Sequence, residues 1–186
     1  IERCSGVTAE KFQSFHMRQG AEQEPVARAA YEAATGNSVN VVGFFSDDVG
    51  FFGCSPDGLI GEDGVLEIKT AVSSATFFRA AVDEDLSEYM DQCLGYLWML
   101  GREWVDLCIW RPDFPHLHIK RIQRSEVTKD IDSLERDMLE FAHIVAGYEA
   151  KLKGVLSGET VGQPALEAAN TPSPAQATGP MLKLGE

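Results

Sequence analysis

Asp57, Glu67 and Lys69 are the residues of this sequence whose types and spacing could do chemistry together. They fall in a stretch where two short apolar runs, Leu59-Ile60 and Val65-Leu66-Glu67-Ile68, flank Gly61-Glu62-Asp63-Gly64. The runs are rich in β-formers, and the two glycines suit the positive-φ positions of a hairpin loop. Pairing Ile60 with Val65 puts Gly58 opposite Glu67 and Asp57 beside it. Side chains alternate along a strand, so Glu67 and Lys69 share a face while Ile68 turns into the core. Two carboxylates and an ammonium then converge at the open end of one hairpin. Mg²⁺ or Mn²⁺ takes hard oxygen ligands, commonly one or two carboxylates with waters and a substrate phosphate. Such an ion lowers the pKa of a bound water and stabilises charge on a phosphoryl group. Lys69, close to that water, could orient or deprotonate it. An exposed hairpin with an ordinary surface salt bridge would use the same residue types.

The flanking chain supplies the elements that would position these groups. Residues 20–36 read as a helix, with Pro25 in its first turn, an apolar stripe of Ala27, Ala30, Tyr31 and Ala34, and Gly36 as the C-terminal cap. Residues 39–45 and 49–54 read as β-rich runs joined by a turn at Asp47-Asp48. A polar connection over residues 71–84 carries Phe77, Phe78 and Arg79, which could border a channel. A helix over residues 86–100 places Tyr89, Gln92 and Tyr96 on one face. Gln92, on an otherwise apolar helix, needs a polar partner if buried, and Lys69 could be it. Residues 104–110 and 116–122 read as strands around Arg111-Pro112-Asp113-Phe114-Pro115. His116 and His118 alternate on one strand and lack a third ligand for a metal site. Lys120, Arg121 and Arg124 form the densest basic patch, suited to phosphates or to solvating an edge strand. Ser125 would cap a long helix ending near Lys153, with a packing stripe from Val127 to Leu152 and Gly154 as its stop. The order helix, strands, hairpin, helix, strands, helix gives an α/β class with a mixed sheet flanked by helices. We expect one folded domain over residues 1–153 and a flexible Pro-, Ala-, Gly-, Ser- and Thr-rich tail over 154–186.

At 186 residues the chain is long enough for a substantial core. It lacks a run of about 18 apolar residues, so no membrane partner is indicated. Its opening Ile1-Glu2-Arg3-Cys4 does not read as a signal peptide and is compatible with a start inside a longer protein. The four cysteines, at 4, 54, 93 and 108, show no CxxC pair, which favours reduced thiols in a cytosolic setting. With 16 Lys+Arg against 29 Asp+Glu, the net charge of −13 argues against generic binding of nucleic acid through phosphate neutralisation.

With Pro56 in place, Pro56-Asp57 and Glu67-Ile68-Lys69 form the PD-(D/E)xK nuclease signature. Upstream stands Arg18-Gln19-Gly20-Ala21-Glu22-Gln23-Glu24-Pro25, and downstream Tyr89-Met90-Asp91-Gln92 with Tyr96 and Trp98. In this order the blocks resemble the phage lambda exonuclease group of the YqaJ-type viral recombinases, over about residues 1–153. That resemblance implies a restriction-endonuclease-like core and a Mg²⁺- or Mn²⁺-dependent, processive 5′→3′ exonuclease using two ions. Such an enzyme acts on double-stranded DNA ends, leaves 3′ overhangs, and serves recombination by strand annealing. It implies Asp57, Glu67 and the Ile68 backbone carbonyl as metal ligands, Lys69 as the group activating water, Gln92 as its orienter and Glu24 as a supporting carboxylate. Glu24 near a helix start also complements the helix dipole. Asp47 stands where the family has a further acidic residue. Arg3 would hold a 5′ phosphate, although Glu10 replaces the family's serine and would repel it. A ring-shaped homotrimer encircling DNA, a single-strand annealing protein as partner and a phage or prophage origin in the bacterial cytoplasm are likewise implied. A ring would retain DNA without a basic surface, which reconciles the charge. Two alternatives stay open: a RecB-like or structure-specific endonuclease of the same fold, and a non-catalytic DNA-binding module.

Overall fold

The computed structural model describes residues 15–71, 73–114, 116–157 and 183–184. Helix α1 spans Phe15–Thr35, followed by β1 (Val39–Asn40), β2 (Phe45–Ser46), β3 (Gly53–Cys54), β4 (Gly58–Ile60) and β5 (Gly64–Thr70). Then come α2 (Ser74–Ala81), α3 (Ser87–Leu100), β6 (Trp104–Trp110), β7 (His118–Gln123), α4 (Thr128–Ser157) and β8 (Lys183–Leu184). Five strands form a mixed sheet in the order β1-β4-β5-β6-β7, and β3-β2-β8 form a smaller antiparallel sheet.

Strand β5 is central and its Val65, Leu66, Glu67 and Ile68 are all buried. It runs parallel to β6 in a register from Gly64–Trp104 to Thr70–Trp110, and its other contacts are antiparallel to β4. A parallel pair needs a long crossover, and α2 and α3 supply it. One face of the sheet packs on α1, where Ala27 and Tyr31 meet Ile60, Leu66, Ile68, Cys108 and Trp110. Helix α3 lies against β6 on the opposite face, burying Cys93, Tyr96 and Leu97. Cys54, Cys93 and Cys108 are free thiols.

A buried polar clasp ties α1 to the sheet. Asp106, 2% exposed, accepts two hydrogen bonds of 2.7 Å from Arg121 and one of 2.6 Å from the Tyr31 hydroxyl. Arg121 also stacks 3.6 Å over the Trp104 ring. The Arg124 guanidinium donates to the backbone carbonyls of Arg102 and Leu97. Arg121 and Arg124 therefore serve the fold, and the basic patch read from the sequence keeps only Lys120, which pairs with Glu84 at 3.2 Å.

Several local expectations change. The hairpin register is Ile60–Gly64, Leu59–Val65 and Gly58–Leu66, one residue away from the expected pairing. Only Gly61 takes positive φ (54°), while Gly64 lies inside β5. The cause is packing, because a Cβ on Gly64 would stand 2.3 Å from the Trp104 indole. Pro25 lies inside α1, which begins earlier than expected. Gly36 (φ 74°) and Gly101 (φ 64°) end α1 and α3 in the left-handed conformation. The connection after β5 folds into α2, whose Ser73 side chain accepts the Thr76 amide at the N-terminus. Ser125 lies in a short 3₁₀ turn, Arg124–Glu126, and α4 starts only at Thr128.

Residues 136–157, the distal part of α4, belong to a separate unit, in which Phe141, Tyr148 and Leu156 are exposed. Helix α4 runs through Gly154, beyond the expected domain end at 153, and Lys183–Leu184 pair with Ser46 and Phe45 of β2. Among the described residues, no helix is long and apolar enough to cross a membrane.

The Trp104 contact makes a sharp test. Gly64→Ala should destabilise the protein by about 1–3 kcal/mol, since an added methyl must displace the indole. Gly95→Ala on α3, where the added Cβ meets nothing within 4 Å, should be neutral or stabilising. Urea midpoints of the two variants measure the difference, and equal midpoints would refute the steric origin of the register.

Candidate active site

Continuing the β4–β5 register by one residue sets Asp57 opposite Glu67. Directly opposed residues share a face, so the slipped register draws the two carboxylates closer than the expected pairing would. Asp57 accepts a 2.6 Å hydrogen bond from the Ile68 amide, which fixes its carboxylate against the centre of β5. Glu67 is 3% exposed.

Around Glu67 the side chains close into a ring. Lys69 Nζ lies 2.7 Å from Glu67 Oε1 and donates to Gln92 Oε1 at 2.7 Å. Gln92 Nε2 donates to the Tyr96 hydroxyl at 2.6 Å, and that hydroxyl donates to Glu67 Oε2 at 2.6 Å. An ammonium only donates and a carboxylate only accepts, so every bond in this ring has one possible direction. The orientation of the Gln92 amide follows from its neighbours. Strand β5 supplies Glu67 and Lys69 by alternation, and α3 supplies Gln92 and Tyr96 one turn apart. The Tyr89 ring lies 5.7 Å from Lys69 Nζ. Gln92 itself is exposed, so its polar partner serves the site and does not rescue a buried amide.

The electrostatics are those of an acid pair only partly compensated by its neighbours. Burial raises the pKa of Asp57, the Glu67 and Glu24 charges add to it, and the carboxyl is pushed up to about 7. The Ile68 amide and Lys69 act in the opposite direction without cancelling it. Burial and the Glu67 carboxylate drive the Tyr96 phenol strongly upward, so it stays a hydrogen-bond donor. Glu24, on α1, is paired with Arg28 one turn on, and its charge reaches Asp57.

Two facing carboxylates that repel one another fit a divalent cation. Among the described residues no three His, Cys, Asp or Glu side chains form a ready-made metal cluster. A cation here would complete its shell with backbone carbonyl, water and substrate oxygens, as Mg²⁺ commonly does.

Asp47 and the two histidines take no part in this ring. Asp47 is buried and its carboxylate accepts the Phe52 amide at 3.1 Å, so it closes the turn between β2 and β3. His118 has its pKa lowered by burial, and neither it nor His116 joins a metal cluster among the described residues. Arg3 and Glu10 lie outside the described residues. The sequence reading gave Tyr96 no role beyond its helix face, although its four-residue spacing from Gln92 was the available signal.

The YqaJ-like viral recombinase domain matches residues 2–103, a span that holds every member of the ring and Asp57. The chain belongs to this family. The recombinase domain also resembles the crystal structure of an alkaline exonuclease, LHK-Exo, from Laribacter hongkongensis. The two share 27% identity over 81% of this chain and 80% of that one, with a TM-score of 0.58. The same exonuclease in complex with dAMP aligns at a TM-score of 0.60 with 27% identity, covering 81% of each chain. A phage-related exonuclease from Haemophilus somnus 129PT shares the fold, with a TM-score of 0.60 and 14% identity over 79% of this chain and 78% of that one. No curated protein sequence matches the recombinase domain. The five-stranded mixed sheet with flanking helices is thus the nuclease fold expected from the sequence.

Two outcomes follow for this recombinase domain. The Asp57 pKa is raised on folding, so its contribution to stability is greatest below about pH 4 and is lost as pH rises through about 7. Asp57→Asn in EDTA should therefore gain ~1–3 kcal/mol at pH 8 and markedly less at pH 5. Thermal melts at the two pH values check this, and equal gains would mean that packing, not charge, is responsible. Tyr96→Phe should fold normally and lose about 10- to 100-fold in activity, with a raised metal requirement, because Glu67 loses one of its two anchors. A metal titration of the rate measures both, and an unchanged titration curve would remove Tyr96 from the site.

Proposed function

We propose that this chain is a divalent-metal-dependent exonuclease that degrades one strand of linear duplex DNA from its 5′ end and leaves a 3′ overhang for strand annealing. Family and fold make it a DNA-hydrolysing enzyme. The observation that carries the finer reading is the convergence of Asp57, Glu67 and Lys69 at one hairpin, with Glu67 anchored from α3. Asp57, Glu67 and the Ile68 carbonyl are the ligands we assign to one or two Mg²⁺ or Mn²⁺ ions, which would supply charge stabilisation at the scissile phosphate and a lowered pKa for bound water.

The chain's own groups do the remaining work. Lys69 uses two of its three N–H donors on Glu67 and Gln92. The third is left to hold and orient the attacking water at Nζ. Gln92 holds the lysine toward the cleft, and Glu24 adds negative charge that favours the cation beside Asp57. Attack of water on phosphorus breaks its bond to the 3′ oxygen of the terminal nucleotide, which leaves with a 3′ hydroxyl while the next nucleotide keeps the phosphate on its 5′ oxygen. Arg3 is the residue we assign to the terminal 5′ phosphate, and a ring trimer passing DNA through its centre is the assembly that fits an acidic chain.

Linear duplex labelled at either 5′ or 3′ ends, with Mg²⁺ or with EDTA, tests this reading. Mg²⁺-dependent release of the 5′ label as mononucleotide is expected while the complementary strand survives. Lys69→Ala should lower kcat by about 10²- to 10⁴-fold and leave DNA binding nearly intact. First loss of the 3′ label would reverse the polarity. Cutting of closed circular duplex would make the protein an endonuclease, and full activity of Lys69→Ala would remove the lysine from the reaction.

A further inference from the structure

Beyond Lys69 the sheet ends in an aromatic cavity that none of the chemistry above uses. It has a volume of about 310 Å³ and is lined by Ser74, Phe77, Phe78, Val82 and Phe114 with the Arg111 and Asp113 side chains. Three of these apolar side chains stand open, with Phe78 55%, Val82 61% and Phe114 45% exposed. The Phe77 and Phe114 rings meet at 4.8 Å, and Phe114 continues edge-on to His116 at 5.8 Å. Aromatic surface left in water is unfavourable and marks a binding site when it is clustered.

The position of the cavity ties it to the proposed reaction. Lys69 and Ile109 are neighbours in register, as are Thr70 and Trp110, and the Ala71 amide still donates to the Trp110 carbonyl at 2.8 Å. Arg111 and α2 begin where that ladder stops. Ser74 is five positions after Lys69, so the cavity wall lies within about 17 Å of the lysine along the chain. That is a span of a few nucleotides of extended single strand.

Charge decides what kind of group would enter. Among the described lining residues the one cation, Arg111, is held by Asp113 through contacts of 2.6 and 2.7 Å, and the pair shifts both pKa values toward the ionised forms. Among the described residues the rim therefore offers no spare positive charge to a phosphate. What it offers is the edges and faces of phenyl rings, which suit a flat, uncharged heteroaromatic ring. Bases of unpaired DNA stack on such rings whatever their sequence.

We propose that this cavity is a stacking subsite for an unpaired nucleobase of the DNA strand lying beside the metal-binding carboxylates. It rests on the reading that DNA is the substrate. Phe78 and Phe114 form the platform, Phe77 backs Phe114, and the Arg111–Asp113 pair holds the loop that carries Phe114. A base seated there would keep the strand from re-pairing within a few nucleotides of the cut.

The test uses the full chain in Ca²⁺ with duplexes bearing a short unpaired end, in which 2-aminopurine is moved one position at a time. In the wild type, fluorescence should be quenched at one or two adjacent positions. Phe78→Ala and Phe114→Ala should abolish that quenching and weaken binding by about tenfold, and Phe78→Tyr and Phe114→Tyr should restore both. Both residues are exposed, so circular dichroism should be unchanged. DNA that is bound and cleaved by the wild type with no quenched position, or with quenching that survives both alanine changes, would overturn the subsite and leave the nuclease reading standing. Persistent quenching with an altered sedimentation mass in the alanine variants would make the cavity a contact between copies of this chain. A wild type that neither binds nor cleaves DNA would overturn the nuclease reading and the subsite with it.

Discussion

A carboxylate buried in the middle of a sheet must be compensated, and this fold does so twice with opposite results. Asp106 and Glu67 lie on adjacent parallel strands, 2% and 3% exposed, and point to opposite faces. Asp106 is saturated by a bidentate arginine and a tyrosine hydroxyl. Nothing is left for a ligand, and the group acts as a bolt between α1 and the sheet. Glu67 receives one ammonium and one phenol but faces a second carboxylate, Asp57, which remains unneutralised enough to be pushed up to about 7. A buried acid with a complete set of donors is structural. One with a like-charged neighbour is poised for a cation.

How legible each feature was in the sequence depended on how local its cause is. The hairpin that gathers Asp57, Glu67 and Lys69 is written in contiguous alternation, and so was readable. Its register was not, because Gly61 and Gly64 look equivalent until Trp104, 40 residues on, claims the space above Gly64. The roles of Arg121 and Arg124 were hidden in the same way: their acceptors lie 15 to 27 residues away in sequence. Helix α2 was legible in principle, since Ser73 precedes it as an N-cap, but its polar start resembled a loop. The hydroxyl of Tyr96 could be placed on a helix face by spacing, yet its landing on Glu67 needed the fold.

The arginines also bear on the tension between an acidic chain and a polyanionic substrate. Arg28, Arg79, Arg111 and Arg121 are paired with carboxylates of the same chain, and Arg124 with backbone carbonyls. Hold on DNA would come less from neutralised phosphates than from cations in the carboxylate site and from stacked bases. Both would be local to the proposed cut, and both would suit the stepwise digestion proposed here.

The central place of β5 has a consequence for motion. The strand that presents Glu67 and Lys69 is buried from Gly64 to Ile68, paired with β6 along its whole length and with β4 over Gly64–Leu66. Its amides belong to the slowest-opening part of the molecule, where exposure to solvent requires the whole sheet to come apart. On the proposed reading Glu67 and Lys69 therefore sit on stiff ground, and any give needed for a DNA strand to pass would fall to the short helix and loops at the sheet's end. Rigidity at the proposed point of cutting and compliance just beyond it would then be divided between neighbouring stretches of one chain.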